Sequence, residues 1–558
     1  MKAELEQMTA AVVKEVFDYS IAIELTRPDE QFGDYATNVA LQLAKPLGKS
    51  PREIAETLAA SLREALKEQV SDVTVAGPGF LNLKLTEAML VAALQAEMPQ
   101  TLAGKKVLVE YSDPNPFKPL HAGHLYTTLV GDTVARLIEH AGAETVRLNY
   151  GGDVGLHVGK SMWAILRAFG GELPEKLTEI AEADRPAWLG ARYVEGNNAY
   201  EDDEAAKAEI VAVNKRVYEL HATGDRESAF AQVYFATRQW SYDYFAELYR
   251  QLQVEPFKRY VPESEVTPLG LTTVREQQKR GVFVESDGAV VFDGESRGQG
   301  LHTRVFINSG GLPTYEAKEV GLVFTKWRDY AYDQSIVITA NEQEQYMKVV
   351  LAAIGEIEAE PARRTRHIPH GVVKLQGGVK MSSRKGNVVT ALEILEAARE
   401  AGIATGTNPS EDTILAAVKY AFAKNRIGGD IVYDPKESIA LEGNSGPYLQ
   451  YAHARARSIL AKADTTAAEL MDLTDDERNL LRKITEYPEV VARSVAELMP
   501  HHICTYLYEL AQKFNQFYEH NRVIGDAREA QRLALVTQYA DTLRAGLELL
   551  GITAPERI

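Results

Sequence analysis

Residues 107–150 hold an apolar run, a one-sided helical stripe and a second apolar run, an order that few folds accept at this spacing. Val107-Leu-Val-Glu-Tyr111 has strand length. A proline-rich turn, Asp113-Pro-Asn-Pro-Phe-Lys-Pro119, precedes a helix whose Leu125, Leu129, Ala135 and Ile138 face one way, and Gly142 supplies its stop. Thr145-Val-Arg-Leu-Asn-Tyr150 then reads as the next strand. Strand, helix and strand in 44 residues make a βαβ unit, which requires parallel strands and a right-handed crossover. Ser335-Ile-Val-Ile-Thr339 has the character of a later strand in the same sheet. The fold class predicted for this part is α/β, a doubly wound, Rossmann-like parallel sheet.

The rest of the chain divides around that unit. Residues 1–100 read as a small α+β domain: Leu5, Met8, Val12 and Val16 recur at helical spacing, and 73–85 alternate around Gly77-Pro-Gly79 as strand, turn, strand. The sheet domain is expected over 101–395, with an insertion at about 165–305. Within it, Lys207 to Tyr249 is charged and helical, and Asp287-Gly288 between two apolar runs signals a hairpin. A connecting segment fills 396–440. From 441 to 558 the chain is expected to be an all-helical bundle. Ile503, Leu507, Leu510, Phe514 and Phe517 form one apolar stripe, and Leu533, Val536, Ala540, Leu543, Leu547 and Leu550 form another.

Composition excludes several classes. The 558 residues are 45% apolar and 25% charged, as in ordinary globular proteins. Charge runs 61 − 79 = −18, so the surface as a whole repels nucleic acid and anionic membranes, and any RNA contact must use local basic faces. The single cysteine, Cys504, excludes an intramolecular disulfide and a multi-cysteine zinc site. Neither a secretory signal nor a membrane span is visible, so a cytoplasmic protein without a membrane is expected.

Two stretches carry chemistry. His121-Ala-Gly-His124 opens the helix after the first sheet strand. A helix N-terminus attracts phosphate through its free N–H groups, Gly123 allows close approach, and two imidazoles can donate to phosphate oxygens. Taken alone, such a pair is more often a backbone-satisfied helix cap, and it lacks the spacing of a zincin metal site. The second stretch, 362–392, contains Arg363, Arg364, Arg366, Lys374, Lys380, Arg384 and Lys385 until Glu393 brings the next acid. Glycines, lysines and hydroxyls at 377–387 suit a loop that wraps a triphosphate, or equally a solvated basic loop.

Together these residues resemble a known family. His121–His124 and Lys380-Met-Ser-Ser-Arg384 are similar to the HIGH and KMSKS motifs of class I aminoacyl-tRNA synthetases. Within that class the chain resembles the arginyl-tRNA synthetase family, through Val109-Glu-Tyr-Ser-Asp-Pro-Asn-Pro116, Asn149-Tyr-Gly-Gly-Asp-Val-Gly155, Thr314–Gly321, Gly443–Arg455 and Leu549–Arg557. Phe32-Gly-Asp-Tyr-Ala36 and Gly77–Asn82 are similar to that family's extra N-terminal domain.

The resemblance implies a two-step ligase that forms arginyl-adenylate from L-arginine and ATP, releases pyrophosphate, and transfers arginine to the 3′-terminal adenosine of tRNA(Arg). It implies that His121, Gly123, His124, Lys380, Met381 and Ser382 hold ATP, with Lys118 a further cation at the leaving group and Mg²⁺ arriving with the nucleotide. Glu110 and Glu319 would take the guanidinium beside Tyr315, while Asn115 and Gln343 hold the α-amino end. Phe80 and Asn82 would meet the tRNA D-loop, and the C-terminal bundle would bind the anticodon through Tyr448, Tyr451, Arg455, Tyr518 and Arg522. The family tendency is to be monomeric. Three positions depart from the usual pattern: Tyr126 for Arg, Val154 for Trp, and Lys318-Glu319 for Arg-Asp. A cysteine-type synthetase, a small-molecule nucleotidyltransferase and a non-enzymatic RNA-binding relative are the rivals. The single cysteine, the additional domains, and the presence of both His124 and Lys380 count against them in turn.

Overall fold

The computed structural model describes residues 1–298, 300–376 and 389–557. The N-terminal unit is an antiparallel sheet of β1 (Tyr35–Thr37), β2 (Val70–Ala76) and β3 (Phe80–Leu85), with β3 in the middle, covered by helices Lys2–Phe17, Val39–Leu47 and Pro51–Ala65. The turn between β2 and β3 falls at Gly77–Gly79, as the alternation requires.

Five parallel strands form the central sheet: β4 (Lys106–Glu110), β5 (Glu144–Gly151), β6 (Arg259–Pro262), β10 (Gln334–Ala340) and β11 (Thr365–His370). The strand order is β11-β10-β4-β5-β6, so the winding reverses between β4 and β10. Both faces are buried, as a parallel sheet demands. Val107, Val109, Ile336 and Ile338 pack with Leu125, Leu129 and Ile138 of helix Ala122–His140. Leu108, Val146 and Leu148 meet Tyr332 on the other face. The alternation of 107, 108 and 109 between two cores is the pleat itself.

Strand β6 lies inside the segment 165–305 that reads as a single insertion. The extra material is therefore split. Helices Arg185–Asp202, Glu204–Thr223 and Ala229–Gln251 come before β6, and the small sheet β7 (Val284–Ser286), β8 (Ala289–Phe292) and β9 (Arg304–Ile307) comes after it. Four residues at a sheet edge, ending in Pro262, carry too little pattern to announce a strand. The hairpin at Asp287-Gly288 forms as predicted, both residues having positive φ (48° and 74°).

Beyond the sheet, Ala391–Ala404 and Glu411–Ala423 are helices, and a short parallel pair joins β12 (Val373–Leu375) to β13 (Ile431–Tyr433). Helices Gly446–Leu460, Asp475–Ile484, Tyr487–Glu497, His501–His520 and Glu529–Leu549 complete the bundle. Both apolar stripes face inward: every residue named in them is buried. No helix among the described residues is long and apolar enough to cross a membrane.

Candidate active site

The carboxyl ends of the sheet strands surround a cavity of about 450 Å³ at the reversal point, where doubly wound sheets place their ligands. Strand β4 delivers Glu110, β5 delivers Tyr150 and leads into Gly152, and β6 leads into Glu263. Strand β10 delivers Thr339 and Ala340, and β11 ends at His370. Helix Tyr315–Tyr330 supplies Tyr315, Glu316 and Glu319, and Tyr346 comes from helix Glu344–Ile357.

On one side stands the histidine pair. Its rings stack with centroids 3.6 Å apart. The His124 N–H donates to His121 Nδ1 at 3.2 Å, and the His121 N–H donates to His124 Nδ1 at 3.4 Å. This reciprocal cap satisfies two donors at the start of helix Ala122–His140. Burial and the neighbouring Lys118 charge pull His121 down to about 4, and burial pulls His124 well below the usual imidazole value. Both rings are therefore neutral at pH 7. With each Nδ1 accepting, the one ring proton sits on Nε2, leaving a donor for a ligand. The bland cap and the phosphate donor are thus two ends of the same imidazoles. A Cβ on Gly123 would meet His121 Nδ1 and Cε1 at 3.0 Å, so the glycine serves the stacked ring as well as any nucleotide.

The other side is acidic. Glu110, on the last residue of β4, pairs with Lys326 Nζ at 2.7 Å, both buried. Glu263 pairs likewise with Lys318 at 2.6 Å. The Tyr346 hydroxyl, 3.3 Å from Glu319 Oε2, donates to it, whereas Oε1 is buried without a partner among the described residues. Burial and the Glu110 charge push the Glu319 carboxyl up to about 8. Asp113 accepts from the Tyr150 N–H at 2.7 Å. Its carboxyl is held well above the usual range by burial and by Glu110. Ser112 and Asp113 both take left-handed backbone conformations (φ 78° and 48°), a local strain of about 1–3 kcal/mol each that turns the chain into the cavity.

The remaining predicted residues are placed as follows. Asn115 Oδ1 accepts from the Gly152 N–H at 3.1 Å, and Gln343 is exposed on the turn after β10; both line the cavity. Tyr315 is 57% exposed at the mouth. Lys118 sits outside the lining, its ammonium 4.5 Å from the centre of the Tyr193 ring. Lys380, Met381 and Ser382 lie outside the described residues. The flanks of their segment are anchored at the site: the Ala122 N–H donates to the Val389 carbonyl at 2.8 Å, and His121 bridges to Thr390.

The three departures resolve simply. Tyr126 is core, edge-on to His370 and Phe422. Val154 packs in the core of the inserted helices with Phe117. Lys318 is occupied by Glu263, and the longer Glu319 reaches the cavity. Sequence reasoning passed over Lys326, Asp113, Glu263, Tyr346 and His370. Lys326 lies seven residues after Glu319 on one helix face, and Glu263 and His370 lie at strand ends, where doubly wound folds keep their chemistry.

Away from the cavity, exposed Phe80 and buried Asn82 line a groove of about 510 Å³ with Phe32. In the bundle the Arg455 guanidinium lies 4.8 Å from the centre of the Tyr518 ring, joining two helices. Tyr448 accepts from Asn515 at 2.9 Å, Tyr451 is exposed, and exposed Arg522 donates to the Ile524 carbonyl at 2.8 Å.

The His-x-Gly-His turn stands at the switch point of a doubly wound sheet, and residues 85–434 match the sequence model of the class I (R) tRNA synthetase catalytic domain, which makes the chain a class I aminoacyl-tRNA synthetase. Residues 1–85 match the arginyl-tRNA synthetase N-terminal domain, and 449–558 match the DALR anticodon-binding domain. An arginine–tRNA ligase of Porphyromonas gingivalis is 30% identical, over 100% of this chain and 99% of its own. One from a Synechococcus species is 31% identical over 96% of this chain and 95% of its own. The structure of the Thermus thermophilus arginyl-tRNA synthetase superposes with a TM-score of 0.79 at 27% identity, covering 100% of both chains. The chain belongs to the arginyl-tRNA synthetase family.

Proposed function

We propose that the chain joins L-arginine to tRNA(Arg) in two steps at this cavity. The observation that carries the reading is Glu319 Oε1, buried without a hydrogen-bond partner among the described residues in a cavity that two imidazole donors also line. A buried acceptor without a donor is costly, and a guanidinium supplies donors in a planar fork together with the charge the wall lacks. Glu319 and Glu110 take the guanidinium, with Tyr315 over the mouth. Asn115 and Gln343 hold the α-amino end. Glu110 does so with its charge already shared by Lys326, so Glu319 carries the larger part of the attraction.

The carboxylate oxygen of arginine attacks the α-phosphorus of ATP, the bond to the bridging oxygen breaks, and pyrophosphate leaves in line. His121 and His124 donate through Nε2–H to the phosphates, and the helix N-terminus adds its partial charge. Lys380, Met381, Ser382 and Lys118 add contacts and positive charge at the leaving group. A ribose hydroxyl of the 3′-terminal adenosine then attacks the acyl carbon, and AMP departs. No covalent enzyme intermediate is required, so catalysis is by placement and fixed charge. Mg²⁺ would arrive with ATP, bound through the phosphates rather than by a protein cage, and would supply charge neutralisation at the leaving pyrophosphate.

The groove with Phe80 and Asn82 takes an unpaired loop of the tRNA. Tyr448, Tyr451, Arg455, Tyr518 and Arg522 form the anticodon face, with stacking from the tyrosines and phosphate contacts from the arginines. The protein acts as a cytoplasmic monomer. The test is amino-acid-dependent ATP–pyrophosphate exchange across all twenty amino acids, with and without tRNA. Exchange with arginine supports the reading. Exchange with another amino acid overturns the roles of Glu110, Tyr315 and Glu319, and no exchange from folded protein overturns the ligase.

A further inference from the structure

His370, the last residue of β11, has no part in the roles given above, yet it lines the cavity beside His121, Gly123, His124 and Thr127. Its ring is buried, with Nδ1 2.8 Å from the Gly371 carbonyl oxygen and Nε2 2.6 Å from Thr127 Oγ1. The Thr127 hydroxyl also reaches the Gly123 carbonyl at 2.9 Å, in the first turn of the helix that carries the histidine pair. The three imidazoles of the site are therefore not equivalent. In His121 and His124 each Nδ1 accepts from a backbone N–H, so a proton added there would break the helix cap. In His370 both nitrogens face oxygen. A neutral ring that donates from Nδ1 to Gly371 accepts at Nε2, which draws the one Thr127 hydroxyl proton away from Gly123. A charged ring donates from both nitrogens and leaves that proton for Gly123, so all three bonds are made only in the cation.

We propose that His370 is a further positioning residue of the nucleotide site, which takes up a proton when ATP binds and, through Thr127, fixes the first turn of helix Ala122–His140 against the phosphates. The inference deepens the reading of the cavity as an ATP site and rests on it. The balance is one proton: solvent supplies it to Nε2, the Thr127 hydroxyl turns from Nε2 to the Gly123 carbonyl, and no other bond is made or broken. On helix Ala122–His140 the groups facing the ring are His124 and Tyr126, the latter perpendicular to it at 4.8 Å. On its own strand the neighbour is His367, pulled down to about 4 by burial and so neutral at pH 7. Beyond Gly371, Asp430 accepts from the Val372 N–H and is paired with Lys374, and across the cavity stand Glu110, Asp113 and Glu319. Among the described residues no acid pairs with His370, and burial holds the ring below the ordinary imidazole value. A polyphosphate beside it brings the negative charge that reverses this. Binding that takes up a proton weakens as pH rises, so affinity for ATP falls as pH passes the value His370 has in the loaded site.

The experiment uses the full chain without arginine, so that binding alone is read. MgATP is titrated calorimetrically at pH 7 in HEPES and in Tris, whose ionisation heats differ. The expected result is a buffer-dependent enthalpy corresponding to uptake of roughly 0.3–1 proton per ATP. An enthalpy independent of buffer overturns the proposal, and this arm needs no variant. His370→Gln keeps a donor towards Thr127 but does not titrate, and it is expected to lose the uptake. In steady-state aminoacylation the wild-type KM for ATP is expected to rise about 3-fold or more from pH 6.5 to pH 8.5, and the variant to flatten that rise while KM for arginine stays within about 2-fold. Uptake that survives His370→Gln would put the proton on His121 or His124 and overturn the part of His370. Thr127→Val removes the hydroxyl between His370 and Gly123 and is expected to cut the uptake by about half or more. Full uptake in that variant would overturn the link to the helix. Folded wild-type chain that binds no ATP would instead overturn the nucleotide reading of the cavity on which the inference stands.

Discussion

Gly123 and Glu319 show how single atoms decide what this cavity can do. At Gly123 a methyl group would come within 3.0 Å of His121 Nδ1 and Cε1, so the ring would have to give way by a few tenths of an ångström. Gly123→Ala is expected to fold, since alanine is the better helix residue, and to push the imidazole off its stack. Aminoacylation kcat should drop about 10- to 100-fold, and steady-state kinetics beside a circular-dichroism melt would separate that from unfolding. At Glu319 the sign of the pH effect follows from its raised carboxyl, at about 8. Between the ordinary carboxylate range and pH 8 the folded chain keeps a proton that the unfolded chain has released, so this group favours the folded state at low pH and loses that contribution as pH rises through 8. The melting temperature of wild type relative to Glu319→Gln is therefore expected to fall from pH 5 to pH 8.5 without arginine, and to fall less with it. A difference that rises with pH would refute this. In the sequence the histidine pair is legible by its spacing, and Glu110 and Glu319 only through the family motifs they sit in. It cannot show Lys326 as the partner of Glu110, because 216 residues separate them and neither their depth nor their pairing leaves a local mark.

Helices Glu263–Lys279 and Tyr315–Tyr330 hold the acidic wall in place as a unit. They cross at Gly270 and Gly321: a Cβ on Gly270 would run into the Ala317 carbonyl, and one on Gly321 into the Val266 carbonyl. This close approach sets Lys318 against Glu263 and fixes where Glu319 enters the cavity. Gly270→Ala is expected to cost about 1–3 kcal/mol by forcing the helices apart. It should also raise KM for arginine more than KM for ATP, because the histidine pair belongs to a different helix. Denaturant melts and separate KM determinations test both parts, and equal effects on the two substrates would argue against it. Elements with a long regular period were the legible ones: helix Ala122–His140 and the stripes at 503–517 and 533–550 bury the residues their spacing named. Strand β6 was hidden by its length of four residues, and its concealment made two separate additions look like one insertion. The crossing at two glycines was equally hidden, since a glycine in a helix looks like a weak point until its neighbour is known.

Across the whole molecule, the N-terminal unit and the helical bundle share one apolar core, in which Leu5, Leu58 and Leu83 belong with Leu480, Leu507 and Phe514. Buried charges set the docking register. Asp34 is fully buried and accepts from the Leu85 N–H at 2.6 Å, from Arg478 at 2.6 Å, and faces Arg482 at 3.3 Å. Arg27 and Tyr35 converge on Glu489 at 2.6 and 2.5 Å. The groove of Phe32 and Phe80 is thereby held at a fixed offset from the face of Tyr451, Arg455 and Tyr518. A tRNA that touches both gains from their fixed separation, because the second contact is made at high effective concentration. Asp34→Asn keeps the shape and the bond to Leu85 but leaves the Arg478 guanidinium without its anion and Arg482 with Glu486 alone, a loss of about 3–5 kcal/mol when a buried pair is broken from one side. Every charged or hydrogen-bonding partner of Asp34 found among the described residues lies in the N-terminal unit or the bundle, not in the central sheet. The substitution is therefore expected to raise KM for tRNA(Arg) at least about 10-fold while KM for arginine and ATP, measured at saturating tRNA, stay within about 2-fold of wild type. A thermal melt should split or broaden as the N-terminal unit loosens first. If KM for arginine rises in step with KM for tRNA, the docking charges act through the catalytic sheet rather than through the spacing of two RNA contacts.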